Sequence, residues 1–232
     1  MAQDPITRFQ STYMSHGDRL GEWLYGFIMV SVVVGVIGGF DEVLLNGDPG
    51  FARLYLTEIL LFFAFGVNIF WGFIDGYAAA YGGLVDRADQ ERVLEKLRED
   101  RTIRELRGKV RDSLEGSPAM YLPDEEKEKL VDLMIDHAPE VPVKYRFTRE
   151  DRNTLIAIAS CDILAVVPVI LPYLFFGFGP FPTILSRLIA ATALGYIVFL
   201  FAGHTGRRKW LTAGAWVILT LVVMAITYRF GW

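Results

Sequence analysis

The sequence predicts an all-α polytopic membrane protein, with five transmembrane helices and a cytoplasmic helical insert between helices 2 and 3. Three observations carry that fold class. Apolar runs at 23–40, 54–81, 154–178, 182–202 and 210–228 are each long enough to cross a bilayer as a helix. Hydrophobic residues make up 53% of the 232 and aromatic residues 14%, a composition that marks an integral membrane protein. A single long hydrophilic stretch, 84–152, interrupts the runs after the second. The chain therefore divides into a leader (1–19), helices 1 and 2 (20–83), a cytoplasmic helical domain (84–152) and helices 3 to 5 (153–232). The net charge of −4 is mild and no basic patch is interleaved with aromatics, so no nucleic-acid partner is expected. The one cysteine, Cys161, lies inside an apolar run and leaves no disulfide or cysteine zinc site within the chain.

The leader is mostly polar, unlike a signal peptide, and reads as a partial surface helix. The first span has Glu22 at its mouth, Trp23 and Tyr25 as interfacial aromatics, and Gly35, Gly38 and Gly39 for tight packing. Residues 41–50 form a turn-rich connection. The second span has Glu58 near its far end and Gly66, Gly72 and Gly76 where another helix could approach closely. In the insert, Leu94, Leu97, Leu106, Val110 and Leu114 recur at three- and four-residue steps and predict a helix over 86–114, broken by Gly116-Ser117-Pro118. A second helix starts at Asp124 and ends before Pro139, with Pro142 making the next segment extended. The third span contains Pro168 and Pro172, which should kink or loosen it. The short loops around the fourth span make spans three, four and five antiparallel neighbours. The leader, the insert and the loop 203–209 hold 20 of the 23 Lys and Arg residues. That bias puts the N-terminus and the insert in the cytoplasm and the C-terminus outside.

The second span carries the sharpest polar signal. Asn68 and Asp75 lie seven residues apart, two helical turns, so both face the same way. An aspartate at that depth is costly unless it meets protein, water or an ion. Asp75 and Asp162 each lie about 10–12 Å inside the cytoplasmic end of their helices, at 1.5 Å per residue. Glu22 and His204 sit nearer the mouth on the same side. Two readings are open. Asp75, Asp162, Glu22 and Asn68 form an acidic vestibule that binds a hard cation or protons, or they only fix packing, Asp162 pairing with Asn68 or capping a proline-loosened turn.

The insert opposes 15 basic with 18 acidic residues. Glu91, Glu95 and Glu99 recur at four-residue spacing among Arg92, Lys96 and Arg98. Glu125, Glu128, Asp132 and Asp136 share one face of the second insert helix beside His137. A solvated, salt-bridged surface accounts for these carboxylates, and metal loading at Glu91, Glu95, Glu125, Glu128 and Asp132 is the sharper alternative. Met29, Met120 and Met134 offer soft donors but suit packing equally. No phosphate-binding glycine loop, nucleophile elbow or paired-histidine zinc motif is present, and His16, His137 and His204 lie in separate segments. The chain is therefore expected not to be an enzyme and to hold no permanently bound cofactor.

Two spans, a carboxylate-rich cytoplasmic insert and three further spans resemble the vacuolar iron transporter family. Val167-Pro168-Val169-Ile170-Leu171-Pro172-Tyr173-Leu174 resembles its double-proline third helix, and residues 203–209 with the ending Ala225-Ile226-Thr227-Tyr228-Arg229-Phe230-Gly231 also fit. Residues 19–29 and 68–75 look like a divergent prokaryotic branch. That family places a Gly-x-x-Asp-Gly motif in its first helix. The matching positions here, Gly26-Phe27-Ile28-Met29-Val30, have no acid, and Gly72-Phe73-Ile74-Asp75-Gly76 carries the motif's form on the second helix. The resemblance implies proton-coupled efflux of iron or manganese from the cytoplasm, with the divalent ion as substrate, by a homodimer in a prokaryotic inner membrane. A non-transporting membrane protein whose insert docks a soluble partner is the competing expectation.

Overall fold

Every regular element among the described residues is helical. The computed structural model describes residues 4–39, 49–115, 117–138 and 146–230, without the side chains of 38–39, 49–53 and 227–230. In chain order the helices are α1 (Pro5–Tyr13), α2 (His16–Gly39), α3 (Pro49–Glu99), α4 (Arg104–Asp112), a 3₁₀ turn (Pro118–Tyr121), α5 (Asp124–Asp136), α6 (Arg149–Phe176), α7 (Pro180–His204) and α8 (Lys209–Phe230). Five of them, α2, α3, α6, α7 and α8, are long and apolar enough to cross a membrane, and the chain is an integral membrane protein. Of the turn-rich connection read at 41–50, residues 41–48 lie outside the described residues, as do residues 139–145 around Pro142. Pro49 and Gly50 open α3 instead.

Local chemistry explains several helix ends. Asp4 Oδ1 accepts from the amides of Ile6 and Thr7, at 3.0 and 2.9 Å, and starts α1 with Pro5 behind it. Gly177 and Gly206 take φ of +69° and +70°, the left-handed backbone that the tight α6–α7 and α7–α8 turns require.

Two expectations change. The helix that carries the second span does not end with its apolar run near residue 81: α3 continues through Gly82 and Gly83 to Glu99, because two glycines at helical φ and ψ weaken a helix without ending it. The helix expected over 86–114 is instead divided at Asp100–Ile103. There Asp100 Oδ1 accepts from the Thr102 amide at 2.9 Å and from its hydroxyl at 2.6 Å. These bonds close a local turn in competition with the helix and hold the Asp100 carboxyl below the usual carboxylate range. The third span, by contrast, runs unbroken across Pro168 and Pro172. Ser186 of α7 donates to the Val169 carbonyl at 2.7 Å, tying α7 to α6 between the two prolines.

The chain separates into two compact units, residues 1–78 with 152–232 and residues 79–151, and α3 contributes to both. In the first, Val30 and Val34 of α2, Leu60 and Ala64 of α3, Val166 and Val169 of α6 and Leu194 of α7 form the buried core. The outward faces keep large apolar side chains such as Phe62, Phe70 and Ile218, as lipid-facing helices do. The second unit closes over Leu97, Val110, Val131 and Ile135, with Leu94 and Leu106 against them. Leu94, Leu97, Leu106 and Val110 are apolar steps read from the insert sequence, contributed by α3 and α4, while Val131 and Ile135 come from α5 and Leu114 stays outside this core.

Candidate carboxylate site

Three membrane helices each contribute one acid to a single point in the first unit. Glu22 comes from α2, Asp75 from α3 and Asp162 from α6, and one carboxylate oxygen of each lies within 4.8 Å of the other two. Asp162 is the innermost, 1% exposed, while Glu22 and Asp75 are half-buried. Both Asp162 oxygens are shut from solvent and accept no hydrogen bond among the described residues. Three like charges this close repel by about 3–4 kcal/mol per pair at an effective dielectric near 20. Protons or a cation would relieve that repulsion.

Glycine makes the convergence possible. A Cβ on Gly26 of α2 would lie 2.9 Å from Asp162 Oδ1, from the Asp162 Cα and from the Ala165 Cβ. One on Gly72 of α3 would come within 3.0 Å of the Ala159 Cα and 3.2 Å of the Asp162 Cβ. Both helices thus reach α6 at backbone distance, one on each carboxylate-bearing neighbour. Gly66, also expected to admit a helix, has nothing within 4 Å of its Cβ position.

Asn68 is fully buried on α3, two turns before Asp75. Its amide nitrogen donates to the Ala64 carbonyl at 3.0 Å, inside its own helix. The suggested Asn68–Asp162 hydrogen bond is not formed, since neither Asp162 oxygen has a donor. The Asn68 Oδ1 is likewise buried with no donor among the described residues, which leaves it a potential neutral oxygen ligand.

The insert acids do not assemble in this way. Arg107 of α4 reaches Glu128 Oε2 at 2.7 Å and Asp132 Oδ1 at 2.8 Å. The two carboxylates hold its guanidinium above its ordinary pKa, each being matched by the same positive fork. Arg111 pairs with Asp124 and Arg101 with Asp136. Glu95 and Glu125 are exposed, Glu91 is partly buried, and none of the five insert candidates joins a group of three ligands among the described residues.

Sequence reasoning left some neighbours unread. Tyr25, an interfacial aromatic by sequence, lies within electrostatic range of Glu22, Asp75 and Asp162. Its position three residues after Glu22, on the same helix face, was the available signal. His16 and His204, distant in sequence, have ring centroids 4.7 Å apart, so the start of α2 and the end of α7 lie at one end of the unit. Met29 lines an apolar recess with Val32 and Val33, while Met120 and Met134 belong to the second unit. Compared with known proteins, the chain matches no family model and no characterised sequence.

Proposed function

We propose that this protein carries divalent metal cations of the iron and manganese class across the membrane, out of the cytoplasm and in exchange for protons, as the resemblance to vacuolar iron transporters implies. The observation that supports it most is the meeting of Glu22, Asp75 and Asp162 from three separate helices, with Asp162 buried and without a donor. Packing alone gives no return for such a carboxylate, whereas a hard divalent ion repays its desolvation. All-oxygen donors suit hard ions such as manganese, magnesium and calcium rather than soft ions.

The site suggests how exchange works. Charged, the three acids replace part of the ion's hydration shell. Protonated, they lose their charge and their affinity, so a proton arriving on any of them helps release the ion. Ligands on three helices also let a small shift of one helix change the number of donors facing the ion. Glu22 supplies a first-helix acid two turns before Met29, the position where the family's motif would place one. In this reading the end holding His16 and His204 faces the cytoplasm, and the protein works as a homodimer.

The alternative, a docking protein, is favoured by one feature: an open groove of about 600 Å³ in the second unit, floored by Val93, Leu94, Leu106 and Val110. Flux separates the two readings. Purified protein reconstituted into vesicles with a trapped metal-sensitive dye should admit manganese and move protons the other way, and Asp162→Asn should abolish both. Wild-type vesicles no leakier to manganese than empty ones would overturn transport and leave docking.

A further inference from the structure

Away from the carboxylates, a cleft of about 460 Å³ lies between α2, α7 and α8. Leu24 of α2, Val198 and Phe201 of α7 and Trp216 of α8 form its apolar walls, and Thr205 and Arg207 stand at the end of α7. The lining is graded. From Thr205 back to Val198 the helix rises about 10 Å, passing from an exposed hydroxyl and guanidinium to a wall 5% exposed. Polar at a helix end and apolar along the helix axis is the polarity profile of one leaflet of a bilayer.

The charge at the polar end has a single sign. Arg207, which lines the cleft, is followed by Arg208 in the turn between α7 and α8, and Lys209 opens α8. No acidic side chain lines the cleft. Among the described residues neither Arg207 nor Arg208 has a carboxylate partner, unlike Arg101, Arg107 and Arg111 of the second unit. The turn is also held in place: Gly206 takes φ of +70°, and the Arg207 amide then donates to the Ala202 carbonyl at 3.1 Å. That bond pins Arg207 over the end of the helix whose side forms the cleft. Lys209 Nζ lies 5.7 Å above the Phe199 ring, and Trp210 beside it is 83% exposed, an aromatic placed to sit at headgroup level.

We propose that this cleft is a binding site for an anionic phospholipid of the surrounding membrane, its phosphate on Arg207 and Arg208 and one acyl chain along Val198, Phe201, Leu24 and Trp216. Basic recesses between membrane helices select anionic headgroups in this way. The site owes nothing to Glu22, Asp75 or Asp162, so it stands whether or not the protein transports metal.

The test uses the whole protein in detergent, mixed with phosphatidylglycerol or phosphatidylcholine of identical acyl chains and examined by native mass spectrometry. Wild type should retain phosphatidylglycerol at least about ten-fold more strongly, given roughly five-fold per basic residue near a headgroup. Arg207→Gln with Arg208→Gln should bring the two lipids within about two-fold, with an unchanged melting temperature in lipid-free detergent because both side chains are exposed. Trp216→Ala should weaken retention of both lipids and keep the preference. Equal retention of the two lipids by wild type, or an undiminished preference in the double variant, would overturn the proposal. Glycerol 3-phosphate raising the melting temperature as far as phosphatidylglycerol does would overturn it too, since the recess would then bind a free anion without the chain.

Discussion

Asp162 has two oxygens out of reach of water and, among the described residues, no donor for either, in a helix that otherwise buries Val166, Val169 and Ile170. An isoelectronic amide there carries no charge, so Asp162→Asn should keep or raise the melting temperature in detergent. The glycines beside it behave differently. Gly26→Ala pushes a methyl within 2.9 Å of the Asp162 Cα, a backbone atom that cannot swing aside, and should destabilise the protein by about 1–3 kcal/mol. Gly66→Ala meets nothing and should be neutral or stabilising by up to about 1 kcal/mol. Thermal unfolding of the two variants side by side checks this, and equal losses would refute the account of glycine-permitted approach. The sequence singles out Asp75, Asp162 and Glu22 because an acid in an apolar run needs a partner. It does not reveal that Asn68 turns back to Ala64, since an amide in a helix can bond its own preceding turn or a neighbour with the same local pattern.

At the scale of elements, the second unit depends on pairing across helices. Arg107 is the central cation, with Glu128 and Asp132 both on α5. Arg107→Met should lower the unfolding free energy by about 1 kcal/mol, because its partners are only half-buried and solvent screens part of each bond. Circular dichroism with denaturant titration measures it, and a loss that persists in high salt would point to packing instead. Helix periodicity placed the insert's apolar steps well, as Leu97 and Val110 are in its core. The boundaries were less legible. The break at Asp100 uses no glycine or proline, only an aspartate bonding to Thr102, and the Gly82-Gly83 pair breaks nothing. In both cases a local hydrogen bond or a continuing helix outweighed composition.

For the whole molecule, the apolar runs were readable because lipid demands about 20 residues of uninterrupted helix, and five helices meet that demand. Convergence of the acids was readable only in part. Depth along a helix follows from residue number, but rotation about the helix axis and the identity of the neighbour depend on packing, here on Gly26 and Gly72. The sidedness rests on charge and is directly measurable. A cysteine at Asn46 should react with an impermeant maleimide applied to intact cells, and one at Ser117 should not, against a low background because Cys161 is buried. The reverse pattern would place the acids near the outer face.

Binding of manganese to the purified protein, followed by isothermal titration and electron paramagnetic resonance, tests the central claim most directly. The account predicts one site per chain in wild type, and a loss of at least about ten-fold in affinity in each of Glu22→Gln, Asp75→Asn and Asp162→Asn at unchanged melting temperature or better. Three variants that bind manganese as tightly as wild type would contradict it, and would return the three acids to helix packing.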